Sequence, residues 1–197
     1  MVLDSLENSK QKNLKNNINN QRNYLAHLEL VRKKDFSRMR DLGVSATFSP
    51  LWFFEMESTK KTLDMVGPHR IEGYYPIKSL IDLDIICGIG SDWPVTDFNP
   101  FYGIEVALTH RFPGEDIENK PFNSVQILNY YEILNSYTIN SAKLLHLEEI
   151  TGSLEPGRYL DMIVLDADLF EVPKNVIHKI TVDETYLSGN LVYKKQI

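Results

Sequence analysis

Two residues stand where an α/β protein could do chemistry. His27 lies near the end of the apolar run Asn23-Tyr24-Leu25-Ala26-His27-Leu28, and Asp92 follows directly on Ile85-Ile86-Cys87-Gly88-Ile89-Gly90. Both runs read as buried strands. Parallel α/β folds build their active sites at the C-terminal ends of strands. A neutral imidazole there can ligate a divalent metal. A carboxylate there can touch the metal, or take a proton from an activated water and return it to a leaving group. Plainer readings stand beside these. His27 could be a core histidine bonded to backbone or to a neighbouring carboxylate, and Asp92 could cap the turn before Trp93-Pro94.

The other candidates carry less. Gly88-Ile89-Gly90 lacks the third glycine of a dinucleotide fingerprint, because Trp93 stands there and Pro94 follows. Cys87 reads as a small apolar core residue. His69, His110, His146 and His178 have no metal-type spacing, and no H-x-H, H-E-x-x-H or C-x-x-C occurs. Trp52-Phe53-Phe54 reads as core or pocket wall. A self-sufficient metal hydrolase needs about three to five ligands and a proton shuttle. His27 and Asp92 supply part of such a site.

The elements that must hold these residues follow from pattern. Val2, Leu3, Leu6 and Leu14 suggest a first helix over 2–15 that frays into an Asn-rich stretch, with seven asparagines between residues 8 and 23. Asp35 could cap a helix over 36–42 that Gly43 stops. Val44–Phe48 alternates as a strand ended by Pro50. A helix opens at Pro76 and runs to about Ile81. Residues 101–110 form an amphipathic helix candidate, 112–123 a loop, and helices follow at about 124–134 and 138–146. Strand and helix thus alternate from residue 24 to 146, the βαβ signature of a parallel sheet or barrel. After Gly152 the texture changes to short strands at Leu160–Asp166, Val176–Val182 and Gly189–Tyr193.

Composition bounds the rest. The 197 residues have 43% hydrophobic and 24% charged content, which is ordinary for a globular chain. One cysteine excludes an internal disulfide and a multi-cysteine zinc site. The net charge of −6 argues against nucleic acid as a partner. Residues 1–40 nevertheless carry nine Lys/Arg against four Asp/Glu, which reads as a solvated helix face. No run approaches the ~20 apolar residues of a membrane span. The polar start MVLDSLENSK has no signal-peptide core, so membrane is not expected as a partner and the cytoplasm is the expected compartment. A full eight-stranded barrel takes about 250 residues, more than this chain holds.

Three stretches together carry a family resemblance. Ala26-His27-Leu28-Glu29-Leu30-Val31, with Leu42-Gly43-Val44 and Phe48-Ser49-Pro50-Leu51-Trp52, is similar to the sixth- and seventh-strand region of the amidohydrolase superfamily. Tyr75-Pro76-Ile77-Lys78-Ser79-Leu80 through Gly90-Ser91-Asp92-Trp93-Pro94-Val95 resembles its eighth-strand block. Tyr137–Ala142, Gly152-Ser153-Leu154-Glu155-Pro156-Gly157 and Asp161–Asp166 resemble its closing helix and C-terminal β segment. The nearest branch is amidohydrolase-3, with the exoenzyme-regulatory-protein-like enzymes and the N-substituted formamide deformylases.

The resemblance implies an α/β fold. It would be the C-terminal part of a metal-dependent-hydrolase (β/α)8 TIM-type barrel, about strands 6–8, with a small segment of the composite urease-like β domain. It divides the chain into an Asn-rich helix and loop at 1–22, a partial barrel at 23–150 and a C-terminal β segment at 151–197. His27 takes the place of a metal ligand and Asp92 that of the carboxylate that binds or faces the metal and shuttles the proton. Trp52 and Trp93 would line the substrate pocket. Arg70 matches a family arginine and is assigned no role. The implied cofactor is a divalent metal, zinc first, and the implied substrate a small molecule with an amide- or formamide-type C–N bond. The family's first-strand H-x-H, its fourth-strand bridging carboxylate or carboxylated lysine and its fifth-strand histidine have no counterpart here. The expectation is therefore a chain that binds no metal and is inactive by itself. It would be completed by an N-terminal half, associate with itself, or persist as a non-catalytic interaction piece.

Overall fold

The computed structural model describes residues 1–15 and 22–196. The Asn-rich loop expected between the first helix and the first strand lies largely outside the described residues. Helix α1 (Val2–Lys15) docks against α2 (Phe36–Leu42), where Arg38 reaches both Asp4 and Glu7 at 2.6 Å. These pairs are solvent-exposed and contribute little; the buried Leu3 carries more of the contact. Strand β1 (Tyr24–Ala26) precedes α2, and strand β2 (Ser45–Phe48) follows it. Gly43 ends α2 at φ 67°, a left-handed conformation that glycine adopts without a Cβ penalty. The chain can therefore reverse within two residues and enter β2.

Strand β3 (Cys87–Ile89) completes a parallel sheet of order β1-β2-β3. Leu25 pairs with Ala46, and Ala46 with Cys87. The central strand alternates, with Ala46 and Phe48 buried and Ser45 and Thr47 half-buried. All of β3 is buried, as its β-branched run predicts. In contrast to the expected buried strand, β1 has Tyr24 half exposed, because among the described residues no strand covers its outer edge.

Between β2 and β3 lie α3 (Glu57–Val66) and α4 (Ile77–Ile81). After β3 come α5 (Pro100–Thr109), α6 (Tyr130–Tyr137) and α7 (Ile139–Leu144). The core combines Met39, Phe48, Phe53, Ile77, Leu80, Cys87, Val106 and Ile133, each at most 1% exposed. Truncating one of its large aliphatic members to alanine costs about 2–5 kcal/mol. Helix α6 begins six residues later than the pattern suggests. Asn129 and Glu132 close a capping box there, while Ser124–Gln126 forms a separate 3₁₀ turn.

Helix α5 departs most from expectation. It is buried nearly all round rather than amphipathic. Its one carboxylate, Glu105, is 1% exposed and accepts hydrogen bonds from Gly114 N at 2.6 Å, His178 N at 2.8 Å and His178 Nδ1 at 2.6 Å. Three donors offset the cost of burying it. They also hold Lys174–Lys179 in a 3₁₀ turn, although Val176–Val182 reads as a strand. The strands of the second sheet are instead β4 (Met162–Leu165), β5 (Val182–Leu187) and β6 (Asn190–Lys194), antiparallel in that order. No helix of the described residues is long and apolar enough to cross a membrane.

Candidate functional site

The ends of β1, β2 and β3 open onto one cavity of about 230 Å³. Just past β1 the chain enters left-handed backbone at His27 (φ 67°) and Leu28 (φ 49°). The His27 N–H still pairs with Thr47 O at 3.0 Å, so the residue is anchored to the sheet while its side chain is exposed on the cavity wall. Its imidazole makes no hydrogen bond among the described residues. The reading of a satisfied core histidine is thereby excluded.

Asp92 reaches the same cavity three residues beyond β3, at φ 64°. The turn it sits in is closed by other groups: Val95 N donates to Asp92 O at 2.8 Å, and Trp93 N donates to Ser91 Oγ at 3.1 Å. The Asp92 carboxylate accepts no hydrogen bond among the described residues, so it is not spent as a cap. Trp52 comes from the 3₁₀ turn Pro50–Trp52 after β2 and lines the cavity. Its Nε1–H is buried without a partner.

The opposite wall rests on a backbone pairing that spans more than 40 residues. Leu30 bridges Tyr74, Tyr75 N donates to Glu29 O at 3.1 Å, and Val31 N donates to Gly73 O at 2.9 Å. Only glycine fits at position 73, where a Cβ would lie 2.3 Å from Val31 O. This pairing brings Glu29, Tyr74 and Tyr75 to the cavity, and the Tyr74 hydroxyl donates to Glu29 Oε1 at 2.7 Å. Burial and the Glu29 hydrogen bond push the Tyr74 hydroxyl up to about 12. Burial and then the charge of Glu29 raise Tyr75 as well. Both phenols therefore keep their protons at neutral pH. Met56, Ser58 and Thr59 close the cavity from the start of α3. Thr59 is 1% exposed, and its hydroxyl has no partner in hydrogen-bonding geometry.

Three lining residues, His27, Tyr75 and Asp92, hold positive φ without being glycine. Such backbone costs on the order of 1–3 kcal/mol per residue and concentrates at functional sites. No Lys or Arg lines the cavity, so two carboxylates set its potential.

An imidazole and a carboxylate are donors of the type that suits zinc. Two protein donors fall short of the three or four of a complete site. Among the described residues no group of three or more His, Cys, Asp or Glu is arranged to hold a metal. Cys87 cannot add a thiolate, because burial raises its thiol.

Trp93, expected on the pocket wall, is 66% exposed and does not line the cavity. The left-handed turn at Asp92 reverses the chain and sends the next side chain outward. Arg70 is exposed and also lies off the wall. Glu29, Thr59, Tyr74 and Tyr75 escaped the sequence reading. The usable signal was Gly-Tyr-Tyr-Pro at 73–76, where proline restricts the residue before it.

The profile of the amidohydrolase family matches residues 1–193. The Bacillus subtilis protein named amidohydrolase YtcJ is 26% identical over 195 residues, which are 98% of this chain and 35% of that protein. The N-substituted formamide deformylase of Arthrobacter pascens is 23% identical over 171 residues, 87% of this chain and 31% of the enzyme. An uncharacterized metal-dependent hydrolase from Pyrococcus horikoshii superimposes with a TM-score of 0.65 at 25% identity, over 77% of this chain and 30% of that one. The chain thus spans about a third of the length of the relatives it matches.

Proposed function

The chain belongs to the amidohydrolase family, and from that premise we propose that it forms the substrate-facing end of a metal-dependent hydrolase acting on amide- or formamide-type C–N bonds of small molecules. The observation that carries this reading is the meeting of His27, Trp52 and Asp92 in one cavity, each contributed from beyond the C-terminal end of a successive parallel strand. In this reading β1, β2 and β3 are the last three strands of an eight-stranded barrel, and β4–β6 belong to its accompanying β domain. Active sites of such barrels sit at this end of the strands.

His27 and Asp92 would hold the metal, zinc first by donor type, together with further donors from outside the described residues. Bound there, a divalent metal supplies Lewis acidity and lets water act as a nucleophile near neutral pH. The rest of the work falls to side chains of this chain. Asp92 takes the proton of the attacking water and returns it to the departing nitrogen, because its carboxylate is free of any capping role. Trp52 walls the cavity and offers its unpartnered N–H to a substrate oxygen. The strained backbone at His27 and Asp92 keeps both side chains directed at one space.

The test is a comparison of the purified chain with the same chain co-expressed with an amidohydrolase-family polypeptide that carries an H-x-H pair. The chain alone is expected to hold well under one zinc and to hydrolyse no formamide. The pair is expected to hold zinc and turn over an N-substituted formamide, and Asp92→Asn to lower kcat by about 10²–10⁴. Turnover by the Asp92→Asn pair at the parent rate would overturn the reading.

A further inference from the structure

We infer that Glu29, Tyr74 and Trp52 form a selectivity subsite that favours small amides carrying a positively charged nitrogen; this rests on the hydrolase reading of the same cavity. Glu29 lines the cavity and is exposed in it. One of its oxygens receives the Tyr74 hydroxyl at 2.7 Å. The other makes no hydrogen bond, and the carboxylate has no cationic partner, among the described residues. Glu29 does not join His27 and Asp92 in a three-donor metal cluster, so its charge is not needed there. An ionised carboxylate only accepts hydrogen bonds, so the group that satisfies it must donate.

The walls agree with that assignment. Trp52, Tyr74 and Tyr75 line the same cavity as the carboxylate, and aromatic rings attract cations to their faces. No Lys or Arg of this chain opposes Glu29 across the cavity, so among its own side chains an anionic substrate would meet two carboxylates and no cationic group. The buried Trp52 Nε1–H, without a partner, is a donor looking for an acceptor, while the Thr59 hydroxyl faces that of Tyr74. A molecule that presents a cationic nitrogen to Glu29 and a carbonyl oxygen to the Trp52 N–H satisfies both. At about 230 Å³ the cavity takes a group of a few heavy atoms.

The experiment reads Trp52 directly and needs no turnover. The chain has two tryptophans, so Trp93→Phe leaves Trp52 as the only indole. Its fluorescence is followed while the full chain is titrated with glycinamide, acetamide and oxamate, as cationic, neutral and anionic amides. Glycinamide is expected to bind about tenfold more tightly than acetamide, and oxamate not at all. Glu29→Gln, which keeps the shape and removes the charge, is expected to abolish the glycinamide preference. Tyr74→Phe is expected to weaken glycinamide roughly threefold, because it frees Glu29 to move. Equal binding of glycinamide and acetamide, or a preference that survives Glu29→Gln, would overturn the subsite and leave the hydrolase reading standing. Failure of all three amides to perturb Trp52, in a chain whose circular dichroism shows it folded, would overturn the subsite, while the hydrolase reading stands or falls on turnover by the pair. Should Glu29→Gln not fold, adding salt to the parent separates the cases: a charge-based preference shrinks and a shape-based one does not.

Discussion

At the C-terminal ends of β1, β2 and β3 the chain holds His27 and Asp92 in left-handed backbone and leaves both side chains unpartnered among the described residues. At the N-terminal ends of the same strands lies a second cavity, of about 350 Å³, lined by Arg22, Tyr24, Ser45, Ile86, Lys143 and Glu148 among others. There one pair of opposite charges meets. Arg22 Nη1 bonds to Glu148 Oε1 and also reaches Lys143 O at 3.4 Å. Of the residues lining this second cavity, only Gly43 holds positive φ. The smaller cavity thus concentrates backbone strain, which the larger one lacks. Size alone would favour the other end. Unrelieved cost is the better guide, because folding tolerates it only where something else requires it.

Acid should separate the two ends most strongly. His110 ends α5 at φ 51° and packs on Phe53, which packs on Tyr75 of the first cavity. Burial holds its imidazole down to about 4, against an ordinary 6.5. Between these values the unfolded chain binds a proton that the folded chain refuses. Stability therefore falls as pH drops from about 6.5 to 4, by about 3 kcal/mol in total. Urea midpoints measured from pH 7 to pH 4 should show this slope, and His110→Asn, which tolerates the left-handed cap, should flatten it. At the other end Glu148 is lowered by its own backbone N–H and then by Arg22. Its contribution is present above the ordinary carboxylate value and is lost only as pH falls below it. A midpoint unchanged from pH 7 to pH 5 would break the contrast.

The next effect tests the wall rather than the charge. Gly73→Ala drives a Cβ to within 2.3 Å of Val31 O. Backbone on both sides must shift, at about 2 kcal/mol. Since Glu29, Tyr74 and Tyr75 hang from this pairing, binding of amides in the cavity should be lost in the same variant. Thermal unfolding together with Trp52 fluorescence would read both. Retained binding would mean that the pairing does not position the wall.

How much of this was legible depended on how local each cause was. The parallel strands, α2 and its glycine stop follow from runs and caps within ten residues, and they stand close to where the pattern put them. Helix α3 went unread because only Thr59 and Leu63 of its ten residues are buried, too few to mark a stripe. Val176–Val182 reads as a strand, yet its first four residues belong to the 3₁₀ turn Lys174–Lys179, where Glu105, some 70 residues earlier, claims His178. The site divides in the same way. His27 and Asp92 could be singled out from strand-end position alone. Glu29 and Tyr74 could not, since they meet only through a pairing 45 residues apart. The outward turn of Trp93 depends on the backbone at Asp92, which residue type does not reveal.

The smallest effects compare the ends most directly, because their signs differ. His27→Gly removes a side chain from a conformation that costs it something, while glycine adopts φ 67° freely. The gain is about 1 kcal/mol, less the entropy that glycine adds to the unfolded chain. A stabilised or neutral variant with its proposed metal donor gone is what a site that trades stability for function should give. Arg22→Ala at the other end breaks an exposed pair and leaves Glu148 with one partner fewer. It should cost up to about 1 kcal/mol, and less in high salt. Chemical denaturation of the two variants side by side decides the matter. If His27→Gly proves the more damaging of the two, His27 is held by contacts that repay its backbone, and the cavity at the strand ends loses the strain that marks it as the working end.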